Sequence, residues 1–501
     1  MPLLDYQIPH KDALVSAIRL QGAALDGSDM GTGKTWAAGG VIHELALPTL
    51  VMCPAICVPA WQRMGEALGV EFDVTNYEKV RTGRTPYGSW TNPPPEGVRE
   101  KFLKCNSCQI KFAPGEAMTP CPHHGLGIHC VETLSTPHDY GKFLWNPAVG
   151  FIVFDEVHRC ASLDHSLQAE MLIAAKRASK KILGLSATVA DSPLSLRAIG
   201  YALNIHGLVD RRGGETPGFY KWAQSHQCRF FAGRGFTFTA KKAVRHMVME
   251  RIHDRIFPDC GSRVKISDLG DKFPDTQITA EYYDIEKSPR IDALYAEMEE
   301  ALAVLHGIAS GDRENALTLI LRARQEIELL KAPIFVELTN DAIAEGKSVA
   351  IFVNFRQTIE ELCKKLKTQC RVDGSQTGAA GMARRQKNVS DFLTDAERKI
   401  VVSSDAGGVG IDLDDKLGQF ARLGLVSLGF SARATRQVFG RLRRQGSKSK
   451  SLYRCILAGQ DEKKLHARLA PKLDHIDLLN DGDLHATNLP LTEFVPTTGT
   501  E

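Results

Sequence analysis

The chain has 501 residues, 43% of them hydrophobic and 24% charged, with a formal net charge of +3. This balance suits a globular protein of several domains at roughly 100–200 residues each. It excludes a disordered, collagen-like or disulfide-scaffold chain. No run of about 18 apolar residues predicts a membrane-spanning helix. The opening MPLLDYQIPHKD lacks the basic region and apolar stretch of a secretory signal. Twelve cysteines are too sparse for a secreted framework. A reducing cytoplasm is the expected compartment.

In chain order, residues 11–25 have helical periodicity, a glycine-rich turn covers 27–33, and KTWAAGGVIHELAL continues as a helix. Thr49-Leu-Val-Met-Cys53 predicts a short buried strand closed by Pro54. Residues 81–147, rich in Pro, Gly and Cys, break the rhythm as an insertion. Phe151-Ile-Val-Phe154 and Lys181-Ile-Leu-Gly-Leu185 are further buried strands. Residues 207–270 are expected to be a helical, basic protrusion, and 285–330 read as strongly helical. The α/β rhythm returns with a strand at 348–353, a helix near 356–367 and a strand at 398–402. The polar tail 481–501 is expected to be flexible. Apolar strands alternating with helices mean parallel sheets. The expected architecture is therefore α/β, with one parallel-sheet lobe in 1–206 and a second in 271–480.

Chemistry enters at Ser28-Asp29-Met30-Gly31-Thr32-Gly33-Lys34-Thr35. This approximates a phosphate loop with Ser28 in place of the first glycine. In such a turn, backbone N–H groups surround phosphates at a helix N-terminus. Lys34 would reach the β/γ-phosphates and Thr35 would hold Mg²⁺. Taken alone, the stretch is equally a plain glycine-rich turn. The acids Asp155 and Glu156 at the end of a buried strand add the second half. Asp155 would hold Mg²⁺ and Glu156 would orient or deprotonate a water.

A cysteine cluster stands apart. Cys105-Asn-Ser-Cys108 is followed, after twelve intervening residues, by Cys121-Pro-His123-His124, and then by His129-Cys130. The spacing matches a closed, structural zinc site of Cys105, Cys108, Cys121 and His124. His123 and Cys130 remain alternatives for the fourth ligand.

Taken in order, these elements resemble helicase superfamily II, most closely its Swi/Snf-type DNA translocases, over roughly residues 3–480. Tyr6-Gln7 resembles the glutamine motif that reads adenine. Residues 29–35 look like that family's phosphate loop, which also lacks the first glycine. Cys53-Pro-Ala with Trp61 is similar to its first DNA-contact motif, and Thr75-Asn-Tyr77-Glu78 to its next. Asp155-Glu-Val-His158 resembles its Asp-Glu-x-His box. Phe273-Pro274, Leu294-Tyr295 and Arg324-Gln325 are similar to its entry into the second lobe. Asp373-Gly374, Ser404 to Leu413 and Gln437-Val-Phe-Gly440-Arg441-Leu-Arg-Arg444 resemble the later motifs. Ser186-Ala187-Thr188 follows the general superfamily pattern instead of the Swi/Snf one.

The resemblance implies two RecA-like lobes that close on ATP. Gln437, Arg441 and Arg444 would come from lobe two, the arginines as fingers, with Gly410 and Asp412 near the nucleotide. It also implies a monomeric ATP-dependent translocase acting through backbone contacts on duplex, forked or branched DNA, in replication, recombination or repair. A compact fork- or junction-remodelling enzyme of a bacterium or phage fits the length. Residues 221–255 hold eight Lys/Arg against two acids, interleaved with aromatics, and predict a nucleic-acid contact or a basic surface over core rings. An RNA helicase, or an ATP-driven factor displacing a protein from nucleic acid, is the alternative.

Overall fold

The computed structural model describes residues 3–93, 101–105, 111–112, 129–133, 140–163, 166–209, 216–231, 235–239, 242–266, 268–269, 276–283, 285–307, 313–376, 378–404, 411–429, 432–444, 446–458, 462 and 496–497. It divides into two compact units, one of residues 78–147 and one of the remainder.

The larger unit opens with α1 (Gln7–Gln21), β1 (Ala23–Asp26), α2 (Lys34–Leu45), β2 (Thr49–Cys53), α3 (Val58–Leu68) and β3 (Asp73–Asn76). The helix expected over 11–25 stops at Gln21 because Gly22 adopts φ +82°, a left-handed cap, and the next four residues become β1. A short helix, α4 (Tyr77–Arg81), leads into the insertion. The insertion contains β4 (Gly88–Trp90), β5 (Lys101–Cys105), β6 (Lys111–Phe112), β7 (His129–Thr133) and β8 (Phe143–Trp145). Its strands form two antiparallel sheets, β4–β8 and β6–β5–β7. Register sets Cys105 opposite His129, and Lys104 opposite Cys130. Cys108, Cys121, His123 and His124 lie outside the described residues.

Lobe one continues with β9 (Phe151–Asp155), α5 (Leu167–Arg177), β10 (Lys181–Leu185) and α6 (Arg197–Ala202). Then come α7 (Phe219–Ser225), the antiparallel pair β11 (Cys228–Phe231) and β12 (Gly235–Phe238), α8 (Lys242–Ile256) and β13 (Gly261–Ser262). The region expected to be a helical protrusion is therefore mixed, and its end returns to lobe one. β13 pairs in parallel with β1, which would otherwise be an edge strand with open backbone donors. The sheet order is β13-β1-β10-β9-β2-β3, with every pair parallel.

Lobe two comprises β14 (Thr276–Tyr283), α9 (Ser288–Gly307), α10 (Arg313–Leu330), α11 (Ala332–Ala344), β15 (Lys347–Val353), α12 (Arg356–Lys365), β16 (Arg371–Val372), α13 (Gly378–Leu393), β17 (Lys399–Ser403), β18 (Ala421–Val426), α14 (Ala432–Phe439), β19 (Ser451–Ala458) and β20 (Pro496–Thr497). Its parallel sheet runs β16-β17-β15-β18-β19-β14-β20. Pro496 and Thr497, in the tail expected to be flexible, pair with Tyr282 and Tyr283. The chain is thus two RecA-like parallel-sheet lobes with helices on both faces. Residues 151–154 of β9 are an unbroken, fully buried apolar run, as expected of a parallel strand covered on both sides. No described helix is long and apolar enough to cross a membrane.

Candidate active site

In lobe one, β1, β10 and β9 are neighbours, with Asp26 opposite Leu185 and Leu185 opposite Asp155. All point the same way, so their C-terminal ends finish flush. The loops that leave them meet on one edge, the usual ligand position of a parallel sheet. Those loops carry residues 27–33, Ser186 and Glu156.

The phosphate loop is shaped by two left-handed glycines, Gly31 at φ +89° and Gly33 at φ +86°. Tyr6 Oη and Gln7 Nε2 both donate to the Thr32 carbonyl, at 3.0 and 3.1 Å. The Gln7 amide is buried, and its oxygen accepts from the Leu4 N–H. A Cβ at Gly33 would stand 2.3 Å from Gln7 Nε2, so the close approach requires glycine. Thr32 Oγ1 donates to the Asp29 carbonyl.

Below the loop lies a polar network that the sequence motif does not contain. Asp26, 0% exposed, accepts from the Ser28 N–H at 2.9 Å and faces His10 Nε2 at 3.1 Å. His10 Nδ1 in turn reaches Ser262 Oγ at 2.8 Å. Burial pushes the Asp26 carboxyl up, but His10, Lys34 and the Ser28 bond outweigh it and hold it below its usual value. Ser28 Oγ accepts from the Val264 N–H. Asp29 accepts from Arg263 Nη2 and the Ile266 N–H, each at 2.9 Å. Its pKa is lowered: burial opposes this, while Arg263 and Arg436 prevail. Two residues expected at the nucleotide thus also anchor the loop to the segment following β13.

Lys34 opens α2, with Thr35 beside it in the first turn. Its Nζ donates to the carbonyls of Ser28 and Asp29 at 2.9 and 3.0 Å. Burial pulls its pKa down, against the fields of Asp26, Glu156, Asp29 and Asp155. Two backbone carbonyls are a modest partner for an ammonium, and phosphate oxygens would be a stronger one.

Asp155 Oδ2 accepts from Trp61 Nε1 at 2.9 Å, and the Asp155 carbonyl accepts from Tyr77 Oη at 2.8 Å. Trp61, in the stretch that resembles the family's first DNA-contact motif, is fully buried and supports the acidic strand end, because an indole N–H inside a core needs an acceptor. Burial and the neighbouring Glu156 charge raise the Asp155 pKa. Two carboxylates crowded in this way fit a divalent cation, with Thr35 and Asp155 as the residues that would hold it.

Glu156 has left-handed backbone, φ 57° and ψ 52°, and its carboxylate lies 3.1 Å from His158 Nδ1. Burial raises its pKa, but His158, Lys34 and Arg441 lower it further, so it stays ionised. His158 Nδ1 also lies 3.0 Å from Ser186 Oγ, and its Nε2 lies 3.4 Å from Gln437 Nε2 of lobe two.

From lobe two, α14 and the turn after it bring Gln437, Arg441 and Arg444, all buried. Arg441 Nη1 donates to the Ile411 carbonyl at 3.0 Å. Its pKa is brought down to about 10 by burial and by Arg444, with Glu156 and Asp412 opposing. Arg444 Nε donates to Asp412, whose side chain is half exposed, and Arg444 Nη1 donates to the Gly440 carbonyl. The lobes are in contact here. A Cβ at Gly31 would meet Arg444 Cδ at 2.9 Å, and one at Gly440 would meet Met30 Sδ at 2.8 Å. Gly410 lies outside the described residues.

The structure therefore gathers Gln7, residues 28–35, Asp155, Glu156, Asp412, Gln437, Arg441 and Arg444 around one seam. Sequence reasoning missed His10, Asp26, Ser262 and Arg263. A buried Asp before the loop is the one local signal, and nothing local pairs it with His10 or reaches β13.

The Helicase conserved C-terminal domain family matches residues 330–446. A protein of Acanthamoeba polyphaga mimivirus, named as an ATP-dependent RNA helicase, is 30% identical over 505 residues, covering 98% of this chain and 86% of that protein. Among solved structures, the SWI2/SNF2 ATPase core domain of Sulfolobus solfataricus is similar at 18% identity and a TM-score of 0.34, covering 94% of this chain and 88% of that one.

Proposed function

The chain belongs to the ATP-dependent helicases of superfamily II, and we propose that its ATP hydrolysis drives movement along duplex, forked or branched DNA. One observation carries the motor reading: Arg444 and Gly440 of lobe two lie against Gly31 and Met30 of the phosphate loop. A catalytic site divided between two lobes is complete only when they close, so a nucleic acid lying across both lobes can govern turnover. The DNA assignment rests on the Swi/Snf-type order of motifs in the sequence.

In this reading Lys34 leaves the Ser28 and Asp29 carbonyls for the β/γ-phosphates. Mg²⁺ held by Thr35 and Asp155 would neutralise phosphate charge. Glu156, kept ionised by its neighbours, orients the attacking water and accepts its proton. The water oxygen bonds the γ-phosphorus as the bond to the β–γ bridging oxygen breaks, releasing ADP and phosphate. Arg441 and Arg444 stabilise the charge that develops in between. The contacts from Glu156 through His158 to Gln437 link the water side of the site to lobe two.

ATPase assays with duplex, forked and single-stranded DNA, and with RNA, test the reading. DNA is expected to stimulate most, and less at higher salt as backbone contacts release counterions. Greater stimulation by RNA favours the second reading, to which Ser186-Ala187-Thr188 and the name of the mimivirus relative point. Equal rates with and without any nucleic acid would leave protein displacement.

Zinc is proposed for the insertion, on Cys105, Cys108, Cys121 and His124. Metal analysis of protein purified without added zinc should find about one ion per chain. Cys108→Ser should lower that content while basal ATP hydrolysis persists.

A further inference from the structure

The β11–β12 pair sets Cys228 opposite Phe238 and Phe230 opposite Phe236. Paired residues share a face in an antiparallel ladder, so these four stand on one side. That face runs from a buried foot at Cys228 to open rings. Phe230 is 63% exposed and meets Phe236 edge-on, with centroids 5.5 Å apart. Tyr220 of α7 is 48% exposed and stacks on Phe236 at 4.9 Å and 29°. Tyr220, Phe236 and Phe230 thus form a continuous row of rings. Phe231, 43% exposed, stands on the opposite face.

Leaving such rings in water forgoes burial worth about 1.5–3 kcal/mol for a phenylalanine. Contiguous exposed rings mark a binding surface more often than an accident of packing. The charge around them indicates what binds. Lys221, next to Tyr220, is exposed, and Arg229, also exposed, stands on the Phe231 face of the same strand pair. Arg245 of α8 lies over the Phe238 ring at 5.7 Å. Residues 221–255 carry eight Lys/Arg against two acids. Rings with surplus positive charge suit an unpaired nucleic-acid strand, whose bases offer π-faces and whose backbone offers anions. A duplex keeps its base faces stacked on one another and presents only the charge.

We infer that the β11–β12 face and Tyr220 form a base-stacking platform for an unpaired DNA strand. This rests on the nucleic-acid-driven reading above and adds to it the element that engages the opened strand.

The test is fluorescence anisotropy with the full chain, a labelled oligo-dT, a blunt DNA duplex of equal length and an oligo-U RNA. Phe230→Ala should weaken oligo-dT binding by about 5- to 150-fold, the loss of one stacked base. Duplex binding and ATPase without nucleic acid should be unchanged. Phe230→Trp should bind oligo-dT at least as well as wild type, and Tyr220→Ala should behave like Phe230→Ala. Unchanged oligo-dT binding in both alanine variants overturns the platform, and DNA-stimulated ATPase in the same preparations then leaves the motor reading standing. An equal loss on duplex and single strand also overturns it, as does a loss confined to RNA. If wild type binds no oligonucleotide and its ATPase ignores DNA, the motor reading and the platform fall together.

Discussion

In lobe one, the charges at the seam have partners within the lobe: Asp26 has His10, Asp29 has Arg263, Glu156 has His158 and Lys34 has two carbonyls, while Arg436 and Arg441 of lobe two add to the fields on Asp29 and Glu156. In lobe two, Arg441 and Arg444 are set close enough to repel, and Glu156 across the seam ranks before Asp412 among the carboxylates that offset Arg441. One half thus has its charges already partnered. The other holds paired cations whose cost falls when the lobes meet. This difference turns closure into a signal, because the lobe-two half is best satisfied when the two halves and a phosphate come together.

The two halves should therefore fail differently. Lys34→Ala should abolish turnover and weaken ATP binding, since the nucleotide rests first on lobe one. Arg444→Ala should bind ATP and DNA nearly as wild type does, yet lose stimulated turnover by about 10³–10⁵-fold. Equilibrium binding of a fluorescent ATP analogue beside steady-state ATPase separates the two. Equal loss of ATP affinity in both variants would erase the distinction between the lobes.

Glu156→Gln comes next. It keeps the shape of the side chain and removes the charge that accepts the proton, at about 10²–10⁴-fold in rate. The variant should accumulate bound ATP, which rapid filtration with radiolabelled nucleotide reads directly. Fast hydrolysis by this variant would move the base elsewhere.

Lobe one should also respond to pH through Asp26. Its pKa is lowered in the fold, so its stabilising contribution is complete above the unfolded value, near 3.9, and is lost as pH falls through the folded value. Asp26→Asn should remove about 1.5–3 kcal/mol at neutral pH, the worth of a hydrogen bond to a charged group. Thermal melts should show the gap between variant and wild type closing below pH 4 or so. A gap unchanged in acid would mean that Asp26 acts through shape alone.

What the sequence made legible follows the same division. Residues 28–35 and 151–158 are contiguous, so local patterning marks both the strand ends and the chemistry placed on them. The apolar runs Phe151–Phe154 and Lys181–Leu185 announce β9 and β10, whereas β1 (Ala23–Asp26) lies in the stretch read as the end of a helix. What stayed hidden depends on distant pairing. β13, two residues long, has no periodicity to read, yet it carries Ser262 to His10 and brings Arg263 to Asp29. The role of Trp61 was hidden too, because a motif position gives a side chain no direction, and only packing brings its indole to Asp155. The β11–β12 pair was hidden by its short strands and by the basic residues that flank them.

The smallest expected effect tests the seam most directly. Gln437 Nε2 lies 3.4 Å from His158 Nε2. At that length the contact is weak as it stands and would shorten if the lobes closed further on ATP. Gln437→Ala removes it without touching the phosphate loop, the acids or the arginines. A single neutral hydrogen bond is worth about 0.5–1.5 kcal/mol, which corresponds to a roughly 2- to 13-fold change in rate. That loss should appear in nucleic-acid-stimulated turnover and not in basal turnover, since basal hydrolysis samples closure without the strand that holds it. A uniform drop in basal and stimulated rates would place Gln437 among the packing residues of α14 and leave closure to the arginines alone.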